Sequence, residues 1–337
     1  MFIFFLKKLR KLFRSLGKVE SKIVDKLVQL EDTSKIKFNK ALLKDSDFTN
    51  WSFILKQKKN YPKKLVIVIC FYFNKKKINI LKKTIKKISQ YRFKIDLTLV
   101  TNKVSNSQKK ILDKLGKPRL KKINIHQIIE LPENNLLPWF SINVMKKKFI
   151  NKSNSHFMFL EDDILVSNEN ICYWVYFRKI LKKIKLVPGF LRCENYKKNL
   201  YVVDNPKKIT LFKNPKILTA SHDFGFINSK YPYSGMYLMD REMMKEYLNS
   251  SATEVDFSFT NSFMKSSYPI KELLNISHAY FNVPRGFYNK LMIPFNTNGE
   301  IPNYCVVEHS DVKYANSTKL QNMGFGKIKL KDLIRKN

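Results

Sequence analysis

From Tyr61 onward, apolar and polar positions fall into alternating blocks. Leu65 to Phe71 is an unbroken run of β-formers, as expected of a strand covered on both faces. Ile78, Leu81, Ile85 and Ile88 then recur at spacings of three, four and three, a helical period. Ile95 to Val100 reads as a second strand ended by Thr101-Asn102, and residues 105–116 as a helix closed by Gly116. Ile123 to Leu131 predicts a third strand and residues 139–151 a further helix. His156 to Leu160 is a fourth strand that runs directly into Glu161-Asp162-Asp163. Ser167 or Asn168 can cap a helix through about Ile184, with Ile171, Trp174, Val175, Leu181 and Ile184 on its buried side. Val187 to Arg192 predicts another strand, and residues 196–230 an irregular excursion of short strands. Tyr233 to Met239 reads as a strand, after which Asp240 caps a helix over 241–249. No internal repeat is evident.

Strands alternating with helix-length spacers imply βαβ crossovers and therefore an α/β fold with a mainly parallel central sheet flanked by helices. In such sheets ligands bind outside the carboxyl ends of the strands. The acidic trio occupies such an end. Around this body lie a basic, helical N-terminal segment (residues 1–60) and a basic, polar tail from about residue 317.

Composition qualifies this picture in three ways. A hydrophobic fraction of 44% over 337 residues suffices for a packed interior and argues against wholesale disorder. Lys and Arg number 64 against 27 Asp and Glu, a formal charge of +37 that draws a chain toward polyanions. Lys is nevertheless scattered along the whole chain among Asn, Ile and Phe, which is the signature of a compositional bias rather than of a dedicated nucleic-acid surface. The four cysteines, Cys70, Cys172, Cys193 and Cys305, lie far apart with no C-x-x-C pair, so a reducing, cytoplasmic compartment fits. No stretch has the roughly 18–20 apolar residues of a transmembrane helix. Leu6, Leu9, Leu12, Phe13 and Leu16 recur at helical spacing with Lys and Arg between them. That pattern suits either an amphipathic helix on the inner, anionic face of the cytoplasmic membrane or a helix packed on the protein's own body.

Adjacent carboxylates repel one another and resist burial, and a divalent cation resolves both difficulties because carboxylates are its preferred hard ligands. A solvated acidic turn is the plain alternative for Glu161-Asp162-Asp163. Acids are scarce in this chain, and their clustering at a ligand-binding sheet edge favours the cation.

The segment His156 to Val166 resembles the D-x-D strand of GT-A glycosyltransferases. The longer run through Glu169-Asn170, Tyr173-Trp174 and Pro188 to Glu194 is similar to a group of bacterial GT-A-like proteins with the pattern "EDDI...NF.YW", then "PGFLR.E". Tyr233-Ser234-Gly235, Pro284 to Phe287 and Val307-Glu308-His309 match its further features. The resemblance covers roughly residues 62–316 and implies a GT-A-like (Rossmann-like) domain over 61–316. It implies transfer of a sugar from a nucleotide-sugar donor to a glycan or lipid-linked acceptor of the cell envelope, with Mn²⁺ or Mg²⁺. Asp163 and His309 would ligate the metal, and Glu161 and Asp162 would contact ribose, diphosphate or metal-bound water. Glu254, Asp256 and Glu194 are candidates for the base that deprotonates the acceptor hydroxyl. Arg192, Arg285 and Lys290 are candidate diphosphate or acceptor contacts, and Trp139 and Tyr233 candidate stacking surfaces for a sugar or base ring.

P-loop, Rossmann glycine-fingerprint, zincin and α/β-hydrolase signatures are absent. Two other classes are compatible with the chemistry: a basic nucleic-acid or polyanion binder in which the trio is incidental, and a metal-dependent nuclease or nucleotidyltransferase. No helix-turn-helix, RRM or KH pattern supports the first, so no specific nucleic acid is expected as a partner. The second usually draws its acids from separated strands.

Overall fold

A computed structural model describes residues 57–116, 120, 122–131, 134–184, 186–210, 217–219, 224–228, 235–249, 253, 291–296 and 298–335. The N-terminal amphipathic pattern and the candidates Tyr233, Glu254, Asp256, Arg285 and Lys290 lie outside the described residues.

The expected alternation is present: β1 (Lys64–Cys70), α1 (Ile78–Ile88), β2 (Lys94–Asn102), α2 (Asn106–Lys114), β3 (Asn124–Ile128), α3 (Ser141–Ile150) and β4 (His156–Glu161). Its apolar runs become the strands of a five-stranded central sheet, ordered β3-β2-β1-β4 with an edge strand β12 (Met236–Asp240). The four leading strands are parallel and β12 is antiparallel to β4. The class is therefore α/β with a mainly parallel sheet. Leu65 to Ile69 of β1 are completely buried, as the unbroken apolar run requires of a strand covered on both faces. α1 buries Leu81, Ile85 and Ile88 and leaves Lys82, Lys83 and Lys86 exposed. Strand order reverses between β1 and β4, and the register sets Cys70 of β1 level with both Val100 of β2 and Glu161 of β4. That crevice is the ligand-binding position of an open parallel sheet.

Two further sheets abut this core. β5 (Ile164–Leu165), β7 (Leu191–Tyr196), β8 (Asn199–Val202), β14 (Val306–His309) and β15 (Ile328–Lys329) form one, in the order β15-β8-β7-β14-β5. β6 (Val187–Pro188), β10 (Ile217–Thr219), β11 (Phe224–Asn228) and β13 (Leu291–Asn296) form the other, in the order β10-β11-β13-β6. The single strand expected over 187–192 is thus two strands in different sheets. The crossing falls at Gly189, whose N–H donates to Met292 O at 2.9 Å and where a Cβ would stand 2.7 Å from a Leu291 methyl. The absent side chain lets the chain pass close to β13 without displacing the Leu291 and Ile293 methyls. The polar stretch from residue 317 is folded: β15 pairs with β8, β16 (Ile334–Arg335) pairs with β9 (Ile209–Thr210), and Leu333 is fully buried.

Helix α4 (Asn168–Leu181) is apolar nearly all round, with Tyr173, Trp174 and Phe177 buried. Ser167 caps it in a reciprocal box with Asn170: Asn170 N–H donates to Ser167 Oγ at 3.1 Å and Ser167 N–H to Asn170 Oδ1 at 2.7 Å. The Asn170 amide nitrogen then donates to the Tyr304 and Val306 carbonyls at 2.7 and 2.9 Å, tying the helix start to β14. At the other end of the α4 layer, Arg178 pairs with Asp240 at 2.7 Å, and Asp240 caps α5 (Arg241–Leu248) by accepting from Met243 N–H. Among the described residues no helix is long and apolar enough to cross a membrane.

Asn170→Ala removes half of the capping box and strands one buried and one part-buried carbonyl. The expected loss is about 1–3 kcal/mol, read as a lower urea midpoint with an unchanged m-value.

Candidate functional site

The acidic trio spans the turn at which the chain leaves the central sheet, at Glu161, and enters β5 of the second sheet, at Ile164. Each member has a different environment. Glu161 is partly exposed at the end of β4, its N–H donating to Gly235 O at 2.9 Å. A Cβ on Gly235 would lie 2.9 Å from Glu161 Oε2, and the residue has φ +67°, so glycine is needed there on both counts. Asp162 accepts the Thr84 hydroxyl of α1 on its carbonyl at 2.7 Å. Asp163 is 5% exposed, and its carbonyl accepts from both Ser310 N–H, at 2.8 Å, and Ser310 Oγ, at 3.0 Å.

The second sheet brings the partners. β14 pairs with β5 so that His309 stands opposite Ile164, and with β7 so that Glu308 stands opposite Cys193. This register places His309 between two carboxylates: its Nε2 is 3.2 Å from Asp163 Oδ2 and its Nδ1 2.7 Å from Glu194 Oε1. Glu194 is itself fully buried and accepts three backbone N–H groups, of Lys313, Tyr314 and Ala315, at 3.2, 3.2 and 2.6 Å. Two residues back along β7, on the same strand face, Arg192 grips Asp204 through Nε and Nη2 at 3.0 and 2.6 Å. Its Nη1 lies 3.7 Å from Glu161, and its guanidinium sits over the Tyr314 ring. Arg192 and His309 thus each link one acid of the trio to a second acid, Asp204 just after β8 and Glu194 in β7 respectively.

The charges follow from this packing. Burial works to lower the His309 pKa, but the bonds to Asp163 and Glu194 and the charge of Asp163 hold it above the ordinary value. Burial works to raise Asp163, and the His309 bond and charge, with Lys313 and Arg192, hold it below the usual range instead. Glu194 is depressed likewise: burial opposes, while His309 and the Ala315 and Tyr314 N–H groups prevail. Asp162 has no such support. Burial, then the neighbouring Asp163 and, more weakly, Glu161 push it up to about 7, against the pull of Lys77.

A cavity of about 250 Å³ opens at the carboxyl ends of β1 and β4, bounded by Tyr72, Asn74, Lys77, Asn134, Glu161 and Asp162 among others. Tyr72 presents a partly exposed ring there. Tyr72, Asn74 and Lys77 are not singled out by the sequence reading, although their place directly after β1 is the signal that also marks the trio. Asp204, Thr84 and Ser310 carry no local sequence signal. Trp139 is buried and does not line this cavity.

The donor set suits a hard divalent cation in one specific sense. Asp163 Oδ1 is buried without a hydrogen-bond partner, and Asp162 is destabilised as an anion by its neighbours. Both conditions are relieved by a cation. The protein does not complete a cage, however. Both nitrogens of His309 face carboxylates, and among the described residues no three His, Cys, Asp or Glu side chains converge to hold a metal. Mg²⁺-type sites with one or two carboxylates and the remaining positions left to water and substrate phosphate have this character.

No protein-family model matches the chain, and no curated protein matches it. Among solved structures it is similar to a mannosyltransferase, PcManGT of Pyrobaculum calidifontis, in complex with GDP-Man and Mn²⁺. The TM-score is 0.36 at 10% identity, over 78% of this chain and 63% of that one. It is also similar to the apo form of the glycosyltransferase GlyE of Streptococcus pneumoniae TIGR4, with TM-score 0.25 and 10% identity, over 40% of this chain and 30% of that one. The chain therefore spans less than two thirds of either neighbour's length. Matches this distant transfer neither ligand nor reaction to the present chain.

Linkage fixes how this array responds to pH. The raised His309 contributes stability that is complete below about pH 6.5 and is lost as pH rises through its folded value. The depressed Asp163 and Glu194 contribute stability present above about pH 4.5 and lost as pH falls through their folded values. Urea midpoints against pH are expected to decline on both sides of that window. In His309→Ala the alkaline decline should flatten, with a loss of about 3–5 kcal/mol at pH 6 because two buried carboxylates lose their shared partner.

Proposed function

We propose that the chain is a glycosyltransferase of GT-A type that takes a nucleotide-sugar donor and a divalent metal, Mn²⁺ or Mg²⁺. The observation that carries this reading is the placement of Glu161-Asp162-Asp163 beside a cavity at the strand-order reversal, with one carboxylate oxygen of Asp163 bare and buried. An α/β sheet with a carboxylate cluster at that edge is suited to a nucleoside diphosphate, whose phosphates bring the charge and ligands the acids lack.

In this reading Asp163 and Asp162 hold the cation, which when bound neutralises the charge of the departing nucleoside diphosphate. Lys77, at the cavity wall beside Asp162, binds diphosphate oxygens. The exposed ring of Tyr72 stacks against the donor's base. Glu161, steadied by Arg192, orients the ribose or a bound water. Glu194 and His309 take supporting roles: Glu194 has no exposed surface from which to reach an acceptor, and it fixes the imidazole that fixes Asp163. Glu254 and Asp256 remain the candidates for the base that deprotonates the acceptor hydroxyl, and Arg285 and Lys290 for contacts to diphosphate or acceptor. A glycan or lipid-linked acceptor, met at the inner face of the cytoplasmic membrane through the basic segment before residue 57, completes the proposal.

A thermal-shift screen of nucleotide sugars with and without Mn²⁺ tests the class. The expected result is stabilisation that needs both ligands together and disappears in Asp163→Ala while the protein stays folded. Transfer or donor hydrolysis that survives Asp163→Ala sinks the assignment. Asp162→Asn separates stability from function: without metal it should raise Tm by roughly 2–4 °C, because a crowded charge is removed, yet abolish the Mn²⁺-dependent shift.

A further inference from the structure

A second cavity, of about 200 Å³, opens between β2, β3 and α3 and shares no lining residue with the cavity at the acidic trio. Thr98 comes from β2, Asn124 and His126 from β3, and Asn143, Lys147 and Lys148 from α3. None of its lining residues is a carboxylate. Asp96, on the Thr98 face of β2, borders the cavity through two of its lining residues: both its oxygens accept from Lys148 Nζ, at 2.7 and 2.8 Å, and one accepts from the Asn124 amide nitrogen at 3.3 Å. Lys64 adds a further contact to the same carboxylate at 3.9 Å. Asp96 is thus already shared among three donors.

Thr98 supplies an independent observation. It is 3% exposed, and its hydroxyl has no hydrogen-bond partner, although it lines a cavity rather than an apolar contact. A buried hydroxyl left unpaired costs about 1–3 kcal/mol, so its retention calls for a ligand or water that completes it. Lys147 is exposed on α3, with no ion pair among the described residues. The His126 ring is disfavoured as a cation, first by burial and then by the Lys147 charge, so at neutral pH it offers one donor and one acceptor.

We propose that this cavity is a second ligand site, which takes a phosphate monoester. The Lys147 ammonium, the Asn143 side-chain amide, an imidazole and a hydroxyl, beside a carboxylate (Asp96) already neutralised by Lys148 and Lys64, match a group that presents several acceptor oxygens. The volume falls below the roughly 300 Å³ at which pockets for drug-sized ligands begin, which limits the occupant to a phosphoryl group with a small remainder. The inference stands apart from the glycosyltransferase reading, since it uses none of the residues of the acidic site.

The test uses the full chain with a metal chelator present, so that the acidic trio contributes nothing. Inorganic phosphate and glucose 6-phosphate are titrated by calorimetry and by NMR of the histidine rings, with glucose as the uncharged control. The expected result is one site for both anions, a shift of the His126 ring and an unmoved His309. Lys147→Glu should weaken binding at least tenfold, whereas Lys110→Glu, an equal change of net charge on α2, should not. Thr98→Val should also weaken binding without lowering Tm. Tighter binding of glucose 6-phosphate than of phosphate makes the ligand a phosphorylated sugar; the reverse makes it the free anion, and either supports the site. Binding of glucose as tight as that of its phosphate, equal losses in the two lysine variants, or an unmoved His126 ring overturns it.

Discussion

The bridge from Asp163 through His309 to Glu194 is the contact on which the arrangement of the acidic edge depends. Asp163 stands where the chain leaves the central sheet; Glu194 and His309 stand on adjacent strands of the second. An imidazole buried between two buried carboxylates holds as a complete set, since the loss of any member leaves a charge or polar group unpaired in a poorly solvated place. Arg192 repeats the device one step away, joining Glu161 to Asp204. The two sheets are thus pinned across the trio by paired ionic links, and the positions of Glu161 and Asp163 are set by the second sheet as much as by β4.

This edge has the opposite sign to the rest of the chain. A protein with a formal charge of +37 concentrates Glu161, Asp162, Asp163, Glu194 and Asp204 around two cations, with Lys77 and Lys313 close by. Burial, with the crowding of Asp163 and Glu161, raises the Asp162 pKa, and burial raises Asp204 despite Arg192, whereas the bonds from His309 hold Asp163 and Glu194 below their ordinary values. The division of labour is electrostatic. Two acids are locked by the fold, and the third is left crowded by its neighbours.

Much of the architecture was legible because it rests on local periodicity. The unbroken run at Leu65–Phe71 and the three-four-three spacing from Ile78 to Ile88 each correspond to an element within a residue or so. Ser167 and Asp240 cap where their chemistry allows. The strand predicted over 187–192 divides because Gly189 packs against Leu291, a neighbour about a hundred residues away that no local pattern reveals. The stretch after residue 317 has the sequence of a polar tail because its strands are two residues long and exist only through pairing with β8 and β9. At the site, position after an apolar strand revealed the trio. His309 and Glu194 could be named as candidates, but not their mutual contact. The partners of Glu194 are invisible in sequence: three backbone N–H groups and an imidazole meet it only in the fold.

The separation between Asp163 and His309 has a kinetic consequence. The two residues are 146 positions apart, and β14 must dock between β5 and β7 before they meet. Closing so long a loop is entropically late, and contacts of this kind form after the local βα units have condensed. Until then the trio is three mutually repelling acids on an otherwise assembled sheet edge. The acidic edge is therefore assembled from both ends of the chain's order, and its bridge exists only once β14 has arrived from the far side of the sequence.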